Sequence, residues 1–307
     1  MTEPTPTTDR VELVPNGGWD PRVLICRSAP TVDAFVVITD RYVVLVDTLV
    51  NGKTAGGMLE IARPHLGGRQ LLVVCTHAHW DHAWGNHLFA GPQAAYPAPI
   101  LGHQRSVELM RSAEYSQVLE EMRVREPGRF DDVVVTPPTI TFEERLRIDG
   151  GDLTLELLHT PGHISDHVAV FIPEIRMLLA GDAVELPFPF PEKAETLPQL
   201  RATLAALAAL APRQALYCHA PETTGPELIG RNIAYFDTLE RRCRAALADG
   251  ASPRPPEGQD LEALVGFSFA DALHPGERPE SMVTFYHEGH KANIRMMLEW
   301  LGQGGVI

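Results

Sequence analysis

Residues 75 to 82 read Cys-Thr-His-Ala-His-Trp-Asp-His, and this octet constrains the chain more than any other feature. Three histidines and an aspartate at this spacing arise by chance in roughly one such chain in a thousand at its own residue frequencies. The octet ends a short apolar run, Leu71 to Cys75, that reads as a strand. A strand of that kind delivers its polar tail to a C-terminal sheet edge, where open α/β sheets place their sites. Alternate residues of an extended segment face the same way, so His77 and His79 can grip one cation through imidazole nitrogens. Asp81 and His82 stand nearby, and spacing alone does not divide the four between one metal and two. Downstream, His163 in TPGH, Asp182 in AGD and His219 in YCHAP each follow a β-like run.

The rest of the chain supplies the frame. From Val23, β-rich runs (VLIC, AFVVIT, YVVLVDT) alternate with turn residues, and Asp47 lies near the end of the last. Residues 52 to 64 read as a helix, and a second set of strands (TITF, RLRI, LTLELLHT, HVAVFI, MLLAGD) follows later. Leu197, Leu200, Leu204, Leu207 and Leu210 recur at helical spacing, with Thr196 as the expected cap. Two βα halves, each covering a sheet with helices, predict an α/β fold, a four-layer αββα sandwich. Residues 1–10, rich in Thr and Pro, read as a disordered tail. Residues 11–307 read as a single domain, with a helical insertion at 103–137 and C-terminal helices over 225–307. Whether the insertion serves as a lid stays open.

Composition excludes several classes. A chain of 307 residues that is 44% hydrophobic can build a large core and is not a mostly unfolded chain. Its net charge of −14, with no basic patch, argues against nucleic acid as a partner. Arg241, Arg242 and Arg244 read as a solvated helix face. Cys26, Cys75, Cys218 and Cys243 form no CxxC pair, which fits reduced thiols and a cytoplasmic location. The N-terminus has no signal-peptide pattern, and the apolar stretch Leu204 to Ala211 is far short of a bilayer span, so no membrane partner is expected. The number of subunits has no readable signature.

Taken together, the octet and the later His, Asp and His resemble the metallo-β-lactamase superfamily of metal-dependent hydrolases, from about Val23 to His219. The resemblance implies that His77, His79 and His163 bind one metal, that Asp81, His82 and His219 bind another, and that Asp182 bridges them. It implies that Asp47 supports the site from behind the ligands, and the family's αββα sandwich agrees with the element order. One departure stands out: the family's motif often continues into paired glycines, whereas this chain has Ala83-Trp84-Gly85-Asn86.

Five neutral imidazoles, two carboxylates, two dications and one hydroxide sum to a charge of about +1, so the expected pocket is locally cationic. A zinc pair, with manganese or iron as other metals such ligands accept, would activate a bridging hydroxide toward a carbonyl. Asp81 is expected to orient that hydroxide and pass its proton on, while Asp182 serves geometry and charge. The substrate class is a small-molecule ester, thioester, lactone or lactam. Phe188 and Phe190, set between prolines just past Asp182, are expected to wall the mouth of the site, or else to pack beneath the following helix. Glu185 stands where acyl-homoserine lactonases carry a tyrosine, and Lys291 and Arg295 occur in the reverse of the order found in glutathione thioesterases. The HEGH run spaces His287 and His290 three apart, unlike the zinc-binding HExxH pattern, so a surface or interface helix is favoured, with His287 or His290 reaching the substrate cleft as the lesser reading. The rival function is an iron-dependent oxygenase or redox protein on the same fold, against which His82 and His219 together speak.

Overall fold

The structure is a computed structural model that describes residues 9–30, 32–92, 94–274 and 283–305. The β-branched runs before the histidine octet pair into one sheet. Strands β1 (Val11–Val14), β2 (Val23–Ser28), β3 (Val32–Ile38) and β4 (Tyr42–Val46) run antiparallel to one another. Helix α1 (Gly52–Ala62), closed at its start by a reciprocal Asn51–Thr54 capping box, carries the chain to β5 (Gln70–Val74), which lies parallel to β4. The octet follows and includes the short helix α2 (Trp80–Ala83). Strand β6 (Ile100–His103) continues the sheet in parallel. Helices α3 (Gln104–Met110) and α4 (Ala113–Arg125) then lead to the parallel edge strand β7 (Ile140–Phe142). All seven residues of β3 are buried, as a strand covered on both faces requires.

A second sheet has the order β12-β11-β10-β9-β8. Its strands are β8 (Arg145–Asp149), β9 (Thr154–His159), β10 (Val168–Ile172), β11 (Met177–Leu179) and, after helix α5 (Leu197–Ala209), β12 (Gln214–Leu216). One apolar cluster takes in residues of both sheets, with Val36, Val44 and Val73 from the first and Leu155, Leu157, Val170 and Leu179 from the second.

Contacts divide the chain into two interleaved compact units. The first comprises Met1–His159, Asp166–Gly181 and Leu216–Thr223 and carries the shared core. The second comprises Thr160–Ser165, Asp182–Ala215 and Thr224–Ile307. It contains α5 together with α6 (Glu227–Ala248), α7 (Leu261–Val265), α8 (Phe269–Ala272) and α9 (Val283–Gly302).

Within the second unit, α5 clamps the TPGH loop. The Thr203 hydroxyl donates to the Pro161 carbonyl at 2.7 Å, and the Thr196 hydroxyl donates to the Gly162 carbonyl at 3.0 Å. Thr196 sits at the helix start without capping it: its backbone is right-handed helical rather than extended, and its Oγ1 accepts the Lys193 amide at 3.3 Å. Gly162 has φ 136°, and a Cβ there would come within 2.3 Å of the Leu200 Cα, so the loop lies flat against the helix only because that atom is missing.

Two sequence expectations meet local detail here. Of the residues expected to form a tail, 1–8 lie outside the described residues, whereas the Asp9 carboxylate accepts hydrogen bonds from Asn51 and Arg129. In the insertion, helix ends at Arg125 and the chain to Thr139 is irregular. No helix among the described residues is long and apolar enough to cross a membrane.

Two outcomes follow from these contacts. The buried His103 ring stacks on His159 with centroids 3.9 Å apart; its Nε2 donates to the Glu143 carbonyl and its Nδ1 accepts from the Arg105 amide, which demands the neutral ring. Burial, and next the neighbouring His159, push its pKa down to about 4. The unfolded chain takes up this proton near pH 6.5 and the folded chain near 4, so stability is expected to fall as pH drops across that window. Denaturant titrations from about pH 7 to about pH 4 are expected to show a shallower fall for His103→Gln. Gly162→Ala is expected to cost about 1–3 kcal/mol in the same assay, through overpacking against Leu200.

Candidate metal centre

The parallel register of β4 and β5 sets Val46 opposite Val74, so the two strands release their polar tails side by side. Asp47 is the first residue past β4. It is held at φ 69°, an uncommon backbone for a non-glycine residue, and its amide donates to the Val74 carbonyl at 2.7 Å. This turns its carboxylate onto the octet. Oδ1 accepts the Thr76 amide at 2.7 Å, and Oδ2 accepts the Thr76 hydroxyl at 2.8 Å and His82 Nδ1 at 2.9 Å.

These bonds settle the tautomers. A carboxylate only accepts, so His82 carries its proton on Nδ1 and presents Nε2 as the lone-pair nitrogen. The Thr76 hydroxyl spends its proton on Asp47 and so accepts from His77 Nδ1 at 3.0 Å, which leaves the His77 lone pair on Nε2. One buried carboxylate thus orients His82 directly and His77 through Thr76, as ligand-supporting carboxylates do in metal sites.

His77 Nε2 and His79 Nδ1 lie 3.0 Å apart, close to the edge of about 3.3 Å that two metal–nitrogen bonds of about 2.0 Å make in a tetrahedron. His79, in extended backbone, starts α2, and the helical turn brings Asp81 and His82 round. Asp81 Oδ2 lies 3.4 Å from His219 Nε2 and 3.7 Å from His82 Nε2. Asp81, His82 and His219 offer ligand atoms within 4.8 Å of one another. Imidazole nitrogens and a carboxylate oxygen at that spacing fit a zinc-, manganese- or iron-type cation.

In the second unit, His163 and Asp182 come together, with His163 Nε2 3.7 Å from Asp182 Oδ2. The other face of the ring is occupied: Nδ1 donates to the Phe190 carbonyl at 3.1 Å, and Glu185 Oε1 stands 3.7 Å from the same nitrogen. His163 therefore also presents Nε2 as its lone-pair atom.

Helix α4 supports the octet. The buried Tyr115 on α4 donates its hydroxyl proton to the Ala78 carbonyl at 2.6 Å and accepts from Trp84 Nε1 at 3.0 Å. Burial pushes the Tyr115 hydroxyl pKa up, so it stays a donor. Trp84 packs edge-on against Phe130, and Asn86 bonds Thr48 and the Thr136 carbonyl. Such contacts fix the loop at the point where the chain departs from paired glycines.

The aromatic residues beyond Asp182 require a correction. Phe188 is fully buried, stacked on Tyr235 at 4.1 Å and edge-on to Phe269 and Tyr286. It is core of the second unit and walls no open cleft, because α6, α8 and α9 supply it with aromatic neighbours. Phe190 is half-buried, stacked on Tyr286 and edge-on to Phe285, and it serves His163 through its main chain. His287 stacks on Phe269, and its Nε2 is 2.9 Å from Glu262. His290 is fully buried between the Tyr235 hydroxyl and the Phe267 carbonyl.

Sequence reasoning missed Thr76, Tyr115 and His167, and noted Glu185 only as a departure from the lactonase pattern. His167 is fully buried with its ring 5.1 Å from that of His77. Its signal was present, since Asp166-His167 directly precedes the run VAVFI as the other candidates adjoin strands.

Comparison with known proteins accords with this geometry. A family model described as the metallo-beta-lactamase superfamily matches residues 29–219. A hydroxyacylglutathione hydrolase of Hahella chejuensis is 31% identical over 128 residues, which are 41% of this chain and 37% of that protein. An acyl-coenzyme A thioesterase of Bos taurus is 28% identical over 131 residues, 40% of this chain and 44% of that one. The chain thus spans about two fifths of the length of these curated relatives. Among solved structures, a metallo-beta-lactamase family protein from Thermus thermophilus superposes with a TM-score of 0.60 at 20% identity, covering 97% of this chain and 94% of that one. A sec-alkylsulfatase from Pseudomonas sp. gives a TM-score of 0.63 at 15% identity, covering 91% and 49%. These likenesses show an α/β chain with the αββα sandwich fold. With its histidine octet at the end of a parallel strand and a family match over more than half its length, the chain belongs to the metallo-β-lactamase superfamily.

Proposed function

We propose that this protein is a metal-dependent hydrolase of a small acyl compound, with a dinuclear site most simply filled by zinc. In this reading His77, His79 and His163 hold one cation, Asp81, His82 and His219 hold the other, and Asp182 lies between them. The observation that carries it is the locking of His77 and His82 by a single buried carboxylate, which leaves both Nε2 lone pairs to face a cation. Chain connectivity supports adding His163 and Asp182: the first stands four residues after β9, the second three after β11.

When bound, a dication pair lowers the pKa of water to about 7 and polarises a carbonyl oxygen. The protein's part is orientation and proton handling. Asp81 keeps 11% of its side chain accessible, so its carboxylate can take a proton at the reacting centre and return it to the leaving atom. Asp47, at 1% exposure, is sealed from substrate and acts only through Thr76 and His82.

Among esters, thioesters, lactones and lactams, thioesters are favoured, because the names of the relatives, a hydroxyacylglutathione hydrolase and an acyl-coenzyme A thioesterase, both denote that bond. A cytoplasmic setting is supported by Cys26, Cys75, Cys218 and Cys243, which are buried and joined by no disulfide. Burial pushes Cys26 and Cys243 up to about 12, so neither acts as a thiolate nucleophile.

Elemental analysis of protein purified without added metal is expected to give two zinc ions per chain, and a panel of thioesters, esters, lactones and a chromogenic cephalosporin is expected to give turnover first on the thioesters. One iron per chain with consumption of oxygen would establish the oxygenase alternative instead. His79→Ala and Asp81→Ala are expected to lower turnover by roughly a hundredfold or more. Asp47→Asn is expected to weaken metal binding by about 10–100-fold in a chelator competition.

A further inference from the structure

The segment from Glu185 to Phe190 follows Asp182 and contains no helix or strand, yet partners on two helices grip it along its length. On α6, Asn232 forms a two-way bond with the Glu185 main chain, accepting its amide at 3.1 Å and donating to its carbonyl at 3.0 Å. The same amide group donates to the Pro187 carbonyl at 2.9 Å. On α9, Asn293 donates to the Pro189 carbonyl at 3.2 Å. Asn232 and Asn293 are both fully buried, where leaving these amide donors unbonded would be costly.

Two further contacts connect α9 to His163. The Tyr286 hydroxyl donates to Glu185 Oε2 at 2.9 Å, and the other oxygen of that carboxylate faces His163 Nδ1 at 3.7 Å. Tyr286 also stacks on the Phe190 ring, with centroids 5.5 Å apart. One turn along, Gly289 presents bare backbone to the same ring: a Cβ there would stand 2.0 Å from Phe190 Cε1. The carbonyl of Phe190 is the hydrogen-bond acceptor of His163 Nδ1. Both groups that face the rear of His163 are therefore seated on one stretch of the C-terminal helix.

We propose that α9 is a positioning element for the metal centre, in which Tyr286 and Gly289 fix Glu185 and Phe190 so that His163 presents Nε2 to its cation. The inference rests on the reading of His163 as a metal ligand. Tyr286 and Gly289 touch neither metal nor substrate in it. They act through the orientation of a single imidazole, so their removal weakens one of two metal positions and spares the other.

The test is chelator competition on the full chain loaded with zinc, which resolves the two equivalents, with cobalt spectra as an independent reading of coordination and melting of the metal-stripped protein as a control for folding. Tyr286→Phe keeps the ring stack and deletes only the hydroxyl, and Gly289→Ala pushes on Phe190. Each is expected to weaken one equivalent about 10–100-fold, the same one weakened by His163→Ala, while leaving unchanged the equivalent weakened by His219→Ala. Wild-type affinity at both positions in Tyr286→Phe and in Glu185→Gln, or equal weakening of both, overturns the proposal while leaving the metal centre standing. Retention of both equivalents by His163→Ala overturns the ligand assignment itself, and with it the inference.

Discussion

A buried carboxylate without a cationic partner is costly, and Asp47 avoids that cost with three hydrogen bonds from two residues of the octet. The orientation of His77 and His82 follows from this placement. The parallel pairing of β4 and β5 brings Asp47 beside Thr76, and the left-handed backbone at Asp47 aims the carboxylate across rather than out. Proton positions on two histidines are then fixed by what the carboxylate accepts. Backbone strain of this kind persists only where the surroundings over-determine it, and here the amide bond to Val74 and the bonds to Thr76 and His82 do so.

The elements beyond the sheets supply orientation in the same way. Tyr115 fastens the peptide between His77 and His79, and Thr203 and Thr196 fasten the loop that carries His163. In each case a hydroxyl donates to a main-chain carbonyl close to one of these histidines, so the backbone that carries the ring is held. Imidazoles fixed by neighbouring donors and acceptors lose little further freedom on binding a cation, which is how a supporting shell raises affinity.

Much of this was legible in the sequence, for a physical reason. Metal-ligating side chains are few in kind, and the octet concentrates four of them after an apolar strand, so rarity and position pointed the same way. The strand runs around Asp47 and Val168 were equally plain, because β-branched residues buried on both faces form continuous apolar stretches. What escaped reading depends on contacts between distant segments. Tyr115 meets Ala78 across 37 positions and Tyr286 meets Glu185 across 101, and no local pattern encodes either pairing. Thr196 was misread because a hydroxyl oxygen near a helix start can accept a helix amide or another one, and here it accepts the Lys193 amide from a preceding turn. For Phe188 two readings stood side by side, because proline-flanked aromatics announce stiffness without saying which side faces water, and the ring is packed.

The interleaving of the two compact units bears on how the gene can be handled. The family match closes at His219, and a cloner would naturally place a stop codon soon after it. Yet the peptide following Asp182 leans on Asn232, Tyr286 and Asn293. A fragment trimmed at that border would keep His77, His79, His82, His163 and His219 yet shed the side chains that hold the peptide after Asp182, so an expression boundary belongs beyond α9.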